Sequence, residues 1–303
     1  MTLTRAIRWL ASIILVLALT VLVAVRVTAE PRLKVVTTIL PLTDLAREVA
    51  GDRADVRQLI PPSAEIHHFQ LRPSDLKLLA GAVLLLAVGG GLEPWLNRLE
   101  KTLVLDKKTR HLKFLDCLKS EGFPAVRQDD PHVWLDFEAD RHLVKALVRE
   151  MSELDPEGAA LYAKRGQLLL DKLQALDERY LQELSSCRHR EIILAGHQAF
   201  SYLAARYGLT LISLTGPQPE ALPGARKLQE IINLVRERQI GAIFYESSHP
   251  PAYARTVARE TGAALYSLSA GVNLTEAQLK AGRSFLDLMS DNLLVLKTAL
   301  KCD

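Results

Sequence analysis

The sequence predicts an α/β protein of two lobes, each with a mostly parallel four-stranded sheet covered by helices, joined by one long backbone helix. Three observations carry this expectation. Short apolar or β-branched runs alternate with helical patterns over residues 33–102, as parallel strands with covering helices do. The same alternation restarts beyond Arg190. Between the two regions, Leu161, Leu168, Leu169, Leu173, Leu176, Tyr180 and Leu184 recur near helical spacing, with no Pro or Gly between Gly166 and Ser186. A helix of roughly 30 residues from Pro156 to Ser185 spans ~45 Å at the usual rise.

Taken in order, Leu33–Leu40 (LKVVTTIL) is a strand and Pro41–Val49 a helix with Pro41 in its first turn. Val56–Ile60 is a short strand ended by Pro61-Pro62, and Ser74–Leu79 a helix behind Pro73, with Ser74 or Asp75 available to cap it. Ala82–Val88 (AVLLLAV) is a buried strand closed by Gly89-Gly90-Gly91, followed by helices over Pro94–Thr102 and 139–151. After the long helix come strands at Glu191–Ala195, Leu209–Leu214, Ala242–Tyr245 and Ala264–Leu268. Helices at Ala199–Tyr207, Ala225–Arg238 and Pro251–Thr261 separate them, and Thr275–Leu300 is mostly helical. The halves are not evident sequence repeats. The expected division is a leader at 1–29, an N-terminal lobe at 30–153, a linking helix at 154–186 and a C-terminal lobe at 187–303.

Composition narrows the function. Of 303 residues, 49% are hydrophobic and 24% charged, so a packed core is feasible. Arg5, Arg8 and Arg26 are the charges of the first 29 residues, and the remaining Lys+Arg and Asp+Glu balance. A neutral body lacks the electrostatic footprint of a nucleic-acid binder. Cys117, Cys187 and Cys302 are too few for a disulfide scaffold or a Cys-rich zinc module; one disulfide plus a free thiol, or none, fits the count. Arg5 and Arg8 precede an uncharged run from Trp9 to Val25, then Ala29 and Glu30-Pro31. This reads as a secretory leader, or as an uncleaved anchor holding the chain to the inner membrane by residues 9–25. In both cases positive charge stays inside, which places residues 30–303 in the periplasm or its extracytoplasmic equivalent.

The histidines carry the chemistry. Of eight, His111, His142 and His189 sit among charged neighbours and read as surface residues. His67 lies in the loop after Pro61-Pro62, His132 in DDPHVWLD, and His197 after strand 191–195 through Gly196. Each stands where a strand or loop hands over to the next element, where ligands bind in open α/β sheets. A histidine at a helix start is badly placed as a cation; neutral imidazole offers a lone pair instead. Trp95 and Trp134 read as core packing near the cleft, Asp136 as an orienting partner of His132 or a helix cap, and Asp129 and Asp130 as loop residues.

The segments IPPSAEIHHFQLRPSD, DPHVWLD, AGHQAFSYLAARYGL, QIGAIFYE and ARETGAALYSL occur in this order across residues 33–300. In this the chain resembles the zinc/manganese-binding solute receptors of ABC importers, the cluster A-I (cluster 9) proteins, and most resembles their zinc-binding members. The resemblance implies two α/β lobes on one long helix, with the metal between them. It also implies no catalytic activity, and partners in a membrane permease and its ATPase; the family's histidine-rich loop is missing between Leu115 and Asp129, which points to a simple receptor or to delivery by a separate metallochaperone. Carried over by position, the metal ligands fall on His67, His132 and His197, and His68 stands where the family often has Asp. The family's fourth, acidic ligand falls on Ser269, a poor ligand, so water, Glu65, His68, Glu246 or His249 could take its place; three histidines plus water or Glu246 is the favoured set. Three neutral imidazoles suit Zn²⁺ over Mn²⁺, and binding should fade as pH falls through the histidine range, about 6.5 when unperturbed. The rival functions are a metal-binding surface adhesin and a zinc hydrolase with an open fourth position and Glu246 as base.

Overall fold

Two four-stranded sheets of identical strand order form the frame. Strands β1 (Leu33–Thr37), β2 (Ala54–Gln58), β3 (Leu84–Ala87) and β4 (Arg110–Lys113) assemble in the order β2-β1-β3-β4. Strands β5 (Glu191–Leu194), β6 (Thr210–Ser213), β7 (Ala242–Glu246) and β8 (Ala264–Leu268) repeat this as β6-β5-β7-β8. Every pairing is parallel. The structure is a computed structural model and describes residues 32–101, 108–123, 129–217, 224–248 and 251–303. The expected leader or anchor (residues 1–29) and His249 lie outside the described residues. Among the described residues, no helix is long and apolar enough to cross a membrane.

The helices are α1 (Leu40–Ala50), α2 (Pro73–Leu79), α3 (Leu96–Lys101), α4 (Phe114–Ser120), α5 (Phe137–Leu154), α6 (Ala159–Ser185), α7 (Ser201–Arg206), α8 (Ala225–Glu237), α9 (Ala252–Thr261), α10 (Glu276–Lys280) and α11 (Phe285–Leu300). At α2 the Asp75 carboxylate accepts from the Arg72 backbone N–H at 2.8 Å, so Asp75 closes this helix start. The expected run Thr275–Leu300 divides into α10 and α11, each opened by a hydroxyl cap, Thr275 and Ser284. The segment Arg110–Lys113, not expected as a strand, pairs with β3 at the sheet edge.

Side-chain alternation explains why the central strands read as continuous apolar runs. Val35, Leu84 and Leu86 enter one large core, while Val36, Leu85 and Ala87 point to a second core on the opposite face. In the other sheet Ile192, Leu194 and Phe244 join that same large core, and Ile193 and Ile243 a third. The large core is continuous from one lobe to the other, and α6 runs through it.

Helix α6 buries Tyr162, Gly166, Leu169, Leu173, Leu176, Tyr180 and Leu184, a stripe at helical spacing. Leu161 and Leu168, expected on this stripe, are exposed instead. The run expected from Pro156 opens as a 3-10 turn, Pro156–Gly158, before α6 begins. Gly166 occupies the stripe because α5 approaches closely there: a Cβ would meet Val148 Cγ2 at 2.3 Å. The far end of α6 is stapled to the chain terminus by a Cys187–Cys302 disulfide, and Cys117 is a buried free thiol. This answers the pairing left open by the cysteine count. Closing a loop of sequence separation 115 is worth about 4–5 kcal/mol in the chain-entropy picture.

One buried group opposes stability. Asp140, in the first turn of α5, is fully buried, and both its carboxylate oxygens lack a hydrogen-bond partner among the described residues. Burial first, and the neighbouring charge of Asp136 second, push it well above the ordinary carboxylate range. The folded state therefore keeps a proton that the unfolded chain releases above about pH 4. The cost grows as pH rises from there through the raised value. Replacing Asp140 with alanine is expected to stabilise the fold by about 1–3 kcal/mol at pH 8 and by little at pH 4. Urea unfolding at both pH values checks this, and a loss of stability at pH 8 contradicts it.

Candidate metal centre

Three imidazoles from distant parts of the chain meet at the carboxyl ends of the strands. Pro61 and Pro62 end the path out of β2, and the loop behind them delivers His67. His132 opens the 3-10 turn Val133–Leu135. His197 follows β5 through Ala195-Gly196. Their ring centroids form a near-equilateral triangle: 5.2 Å for His67–His132, 5.4 Å for His67–His197 and 5.2 Å for His132–His197. One nitrogen from each lies within 4.8 Å of the others. They surround an enclosed cavity of about 10 Å³, also lined by Glu65, Ile66, Glu246, Ala270, Val272 and Asn273, which is room for a single water-sized sphere.

Two of the rings have a carboxylate oxygen within 3.0 Å of Nδ1. Asp130 Oδ1 lies 2.7 Å from His132 Nδ1 and accepts the His132 backbone N–H at 3.0 Å. Glu246 Oε2 lies 3.0 Å from His197 Nδ1, and Glu246 Oε1 accepts from the Ser248 hydroxyl at 2.9 Å. The hydrogen bond to Asp130 puts the His132 proton on Nδ1 and leaves its Nε2 lone pair free, whereas Glu246 Oε2 approaches His197 without hydrogen-bond geometry. His132 and His197, only 1% and 7% exposed, turn their Nε2 atoms toward each other at 3.3 Å. Two nitrogens at that distance share either a proton on one ring or, with both lone pairs free, a metal ion between them. The spacing matches the edge, about 3.3 Å, of a tetrahedron whose arms are Zn–N bonds of about 2.0–2.1 Å.

His67 differs from its two neighbours. Both its ring nitrogens are buried without a hydrogen-bond partner among the described residues. Burial, then the nearby His132 and His197, lower its pKa to about 4. Its backbone N–H donates to Glu65 Oε1 at 3.1 Å.

The chain's own family follows from comparison with known proteins. The ZnuA family, described as the periplasmic zinc-uptake complex component A, matches residues 35–299. The chain belongs to this family. Among relatives, the zinc-binding lipoprotein AdcA of Streptococcus pneumoniae is 30% identical over 282 residues, 89% of this chain. The chain spans 56% of that relative's length. The high-affinity zinc uptake system protein ZnuA of Bacillus subtilis is 28% identical, with 89% of this chain and 88% of that protein covered. Among solved structures, the Zn(II)-bound ZnuA-like domain of S. pneumoniae AdcA superposes with TM-score 0.76 at 29% identity, covering 89% of this chain and 99% of that one. The laminin-binding protein Lmb of Streptococcus agalactiae, described as a bifunctional protein with adhesin and metal transporting activity, gives 0.76 at 30% identity, over 88% and 98% of the two chains.

Within this ZnuA-family frame, several sequence expectations find their places. Asp136, considered as a partner for His132, instead accepts from the Glu138 backbone N–H at 3.0 Å to cap α5, and lies 3.2 Å from Arg206. The carboxylate holding His132 is Asp130, read from sequence as a loop residue. Its signal was the two-residue spacing to His132 across Pro131, which lets a short turn fold the imidazole back onto it. Ser269 does not line the cavity; its hydroxyl accepts from Gly271 N at 3.1 Å, and the Asn292 carboxamide pairs with its backbone. His68 is exposed and lines, with Trp95 and Arg98, a pocket of 570 Å³ that adjoins the cavity through His67, which lines both. Trp134 is fully buried; its indole N–H donates to Ala270 O at 2.8 Å, and its ring sits 5.2 Å from that of His132.

Proposed function

We propose that this chain is the extracytoplasmic receptor of an ABC importer. It captures Zn²⁺ between its two lobes and delivers it to a membrane permease whose ATPase supplies the energy. His67 and His132 come from the N-terminal lobe (30–153), His197 from the C-terminal lobe (187–303), and the segment 154–186 links the lobes. The observation that carries this reading is the 3.3 Å approach of the His132 and His197 Nε2 atoms, each ring backed by a carboxylate. Such a donor set suits zinc, which accepts neutral imidazole readily, over manganese, which favours oxygen. Glu246 lies against His197 Nδ1, and water fills the fourth position. The zinc-binding relatives support the choice of cargo. The disulfide suits an oxidising compartment outside the cytoplasm.

The chain binds and releases its ion without turning over a substrate. No P-loop pattern occurs in the sequence, so ATP hydrolysis belongs to the partner. Isothermal titration of metal-free protein with Zn²⁺ and Mn²⁺ tests the reading. One equivalent of tightly bound zinc, weaker manganese, and no zinc binding after His67, His132 and His197 are all changed to alanine are expected. Undiminished zinc binding by that triple variant overturns it.

A further inference from the structure

Asn273 faces two compartments. Its side chain lines the enclosed cavity of the three histidines. It also lines a pocket of 290 Å³ between the lobes, bounded by Pro62 and Ser63 on one side and by Ser247, Ser248 and Thr275 on the other. It is thus a partition between the ion's cavity and the larger interlobe space.

The same side chain ties the partition shut. Asn273 Nδ2 donates to Pro62 O at 2.8 Å and to Ala64 O at 3.1 Å. Both hydrogens of one carboxamide are spent on backbone carbonyls of the loop that delivers His67. Asn273 belongs to the segment after β8, in the C-terminal lobe. The contact therefore fastens a ligand-bearing loop of one lobe to the other lobe. The nearby Trp134–Ala270 hydrogen bond also crosses between the lobes, but its indole is fully buried. Breaking that bond disturbs packing, whereas Asn273 and the 62–64 loop are only partly buried.

This matters because the core cannot open easily. Tyr162, Leu169, Leu173 and Tyr180 of α6 lie in apolar packing continuous from one sheet to the other. Wide separation of the lobes would expose that core. An ion enclosed by buried imidazoles leaves more easily by local loop movement. We propose that Asn273 is the latch of the metal cavity, holding the 62–64 loop closed over the three histidines, and that the ion is released when the two Asn273 hydrogen bonds break. The proposal rests on the zinc-receptor reading and makes Asn273 a positioning residue that acts through His67.

The test is the rate of zinc release from the full chain, followed by stopped flow into excess chromogenic chelator. Wild-type protein that holds no zinc overturns the receptor reading itself. With zinc bound, Asn273→Leu, near-isosteric but without donors, and Asn273→Ala are both expected to release it about tenfold faster, since two neutral hydrogen bonds are lost. Association changes little. Amide hydrogen exchange in the zinc-loaded variants rises over residues 61–67 and keeps its wild-type rate in β1 and β3. Release at the wild-type rate in both variants overturns the latch. So does exchange that accelerates equally in the core strands, which marks a general loss of stability.

Discussion

His132→Ala is expected to weaken zinc binding by at least about two orders of magnitude. Structural zinc sites built from four ligands bind with apparent free energies of about 10–16 kcal/mol, so one ligand's share is roughly 3 kcal/mol, or about a hundredfold. Two features push the loss beyond that share. The substitution removes one of the two nitrogens set 3.3 Å apart, and it deprives the buried Asp130 carboxylate of its ring partner. Asp130→Asn separates these effects. It keeps the ligand but loses the charge that fixes the proton on Nδ1, and a cost of about 10–100-fold is expected. Competition with chelators of known affinity at pH 7.5 measures both variants. If Asp130→Asn binds zinc as tightly as wild type, Asp130 does not set the His132 tautomer. If His132→Ala does so, the ion sits elsewhere.

The parts of this site that could be read in the sequence are those set by local pattern. His67, His132 and His197 each follow a strand or turn signal, and parallel strands place such positions at one end of a sheet. Leu84–Ala87 was legible as a strand because the sheet is covered on both faces and all four side chains are buried. Arg110–Lys113 was not, since it lies at the sheet edge and only Leu112 is buried. The long helix announced itself by its missing Pro and Gly, but its buried face was misjudged. Leucines look apolar wherever they point, and Gly166 earns its place only through the close approach of Val148. Glu246 was visible as the last residue of a strand. What it faces depended on where another strand delivers His197, 49 positions earlier by number, and pairwise strand order is not written locally. The disulfide had the same difficulty: its partners are 115 residues apart and meet only because α11 returns along α6.

Arg206→Ala is expected to be the most destabilising single change outside the cores. Arg206 lies in α7, in the C-terminal lobe, yet its guanidinium reaches Asp177 of the long helix through two nitrogens and Asp136 of the N-terminal lobe at 3.2 Å. Tyr207 adds its hydroxyl to Asp177 at 2.8 Å. The two aspartate side chains are 8% and 6% exposed, so the positive charge they share lies in a largely dry junction of both lobes and their linking helix. Removing one partner from such a network leaves buried carboxylates uncompensated and costs about 3–5 kcal/mol. For a chain of this size that is a fall of roughly 5–9 °C in the unfolding midpoint. Burial already raises the pKa of Asp136, with Arg206 opposing the shift. Without the arginine Asp136 moves higher, so the folded state binds more protons and the variant's deficit grows as pH rises. Arg206→Lys keeps the charge but loses the planar fork, and should recover only part of the stability. Thermal unfolding at pH 5 and pH 8 separates these outcomes: equal deficits at both pH values would show that packing of the arginine stem, and not its charge, holds the junction together, and full recovery by lysine would show that a positive charge suffices there without the planar fork.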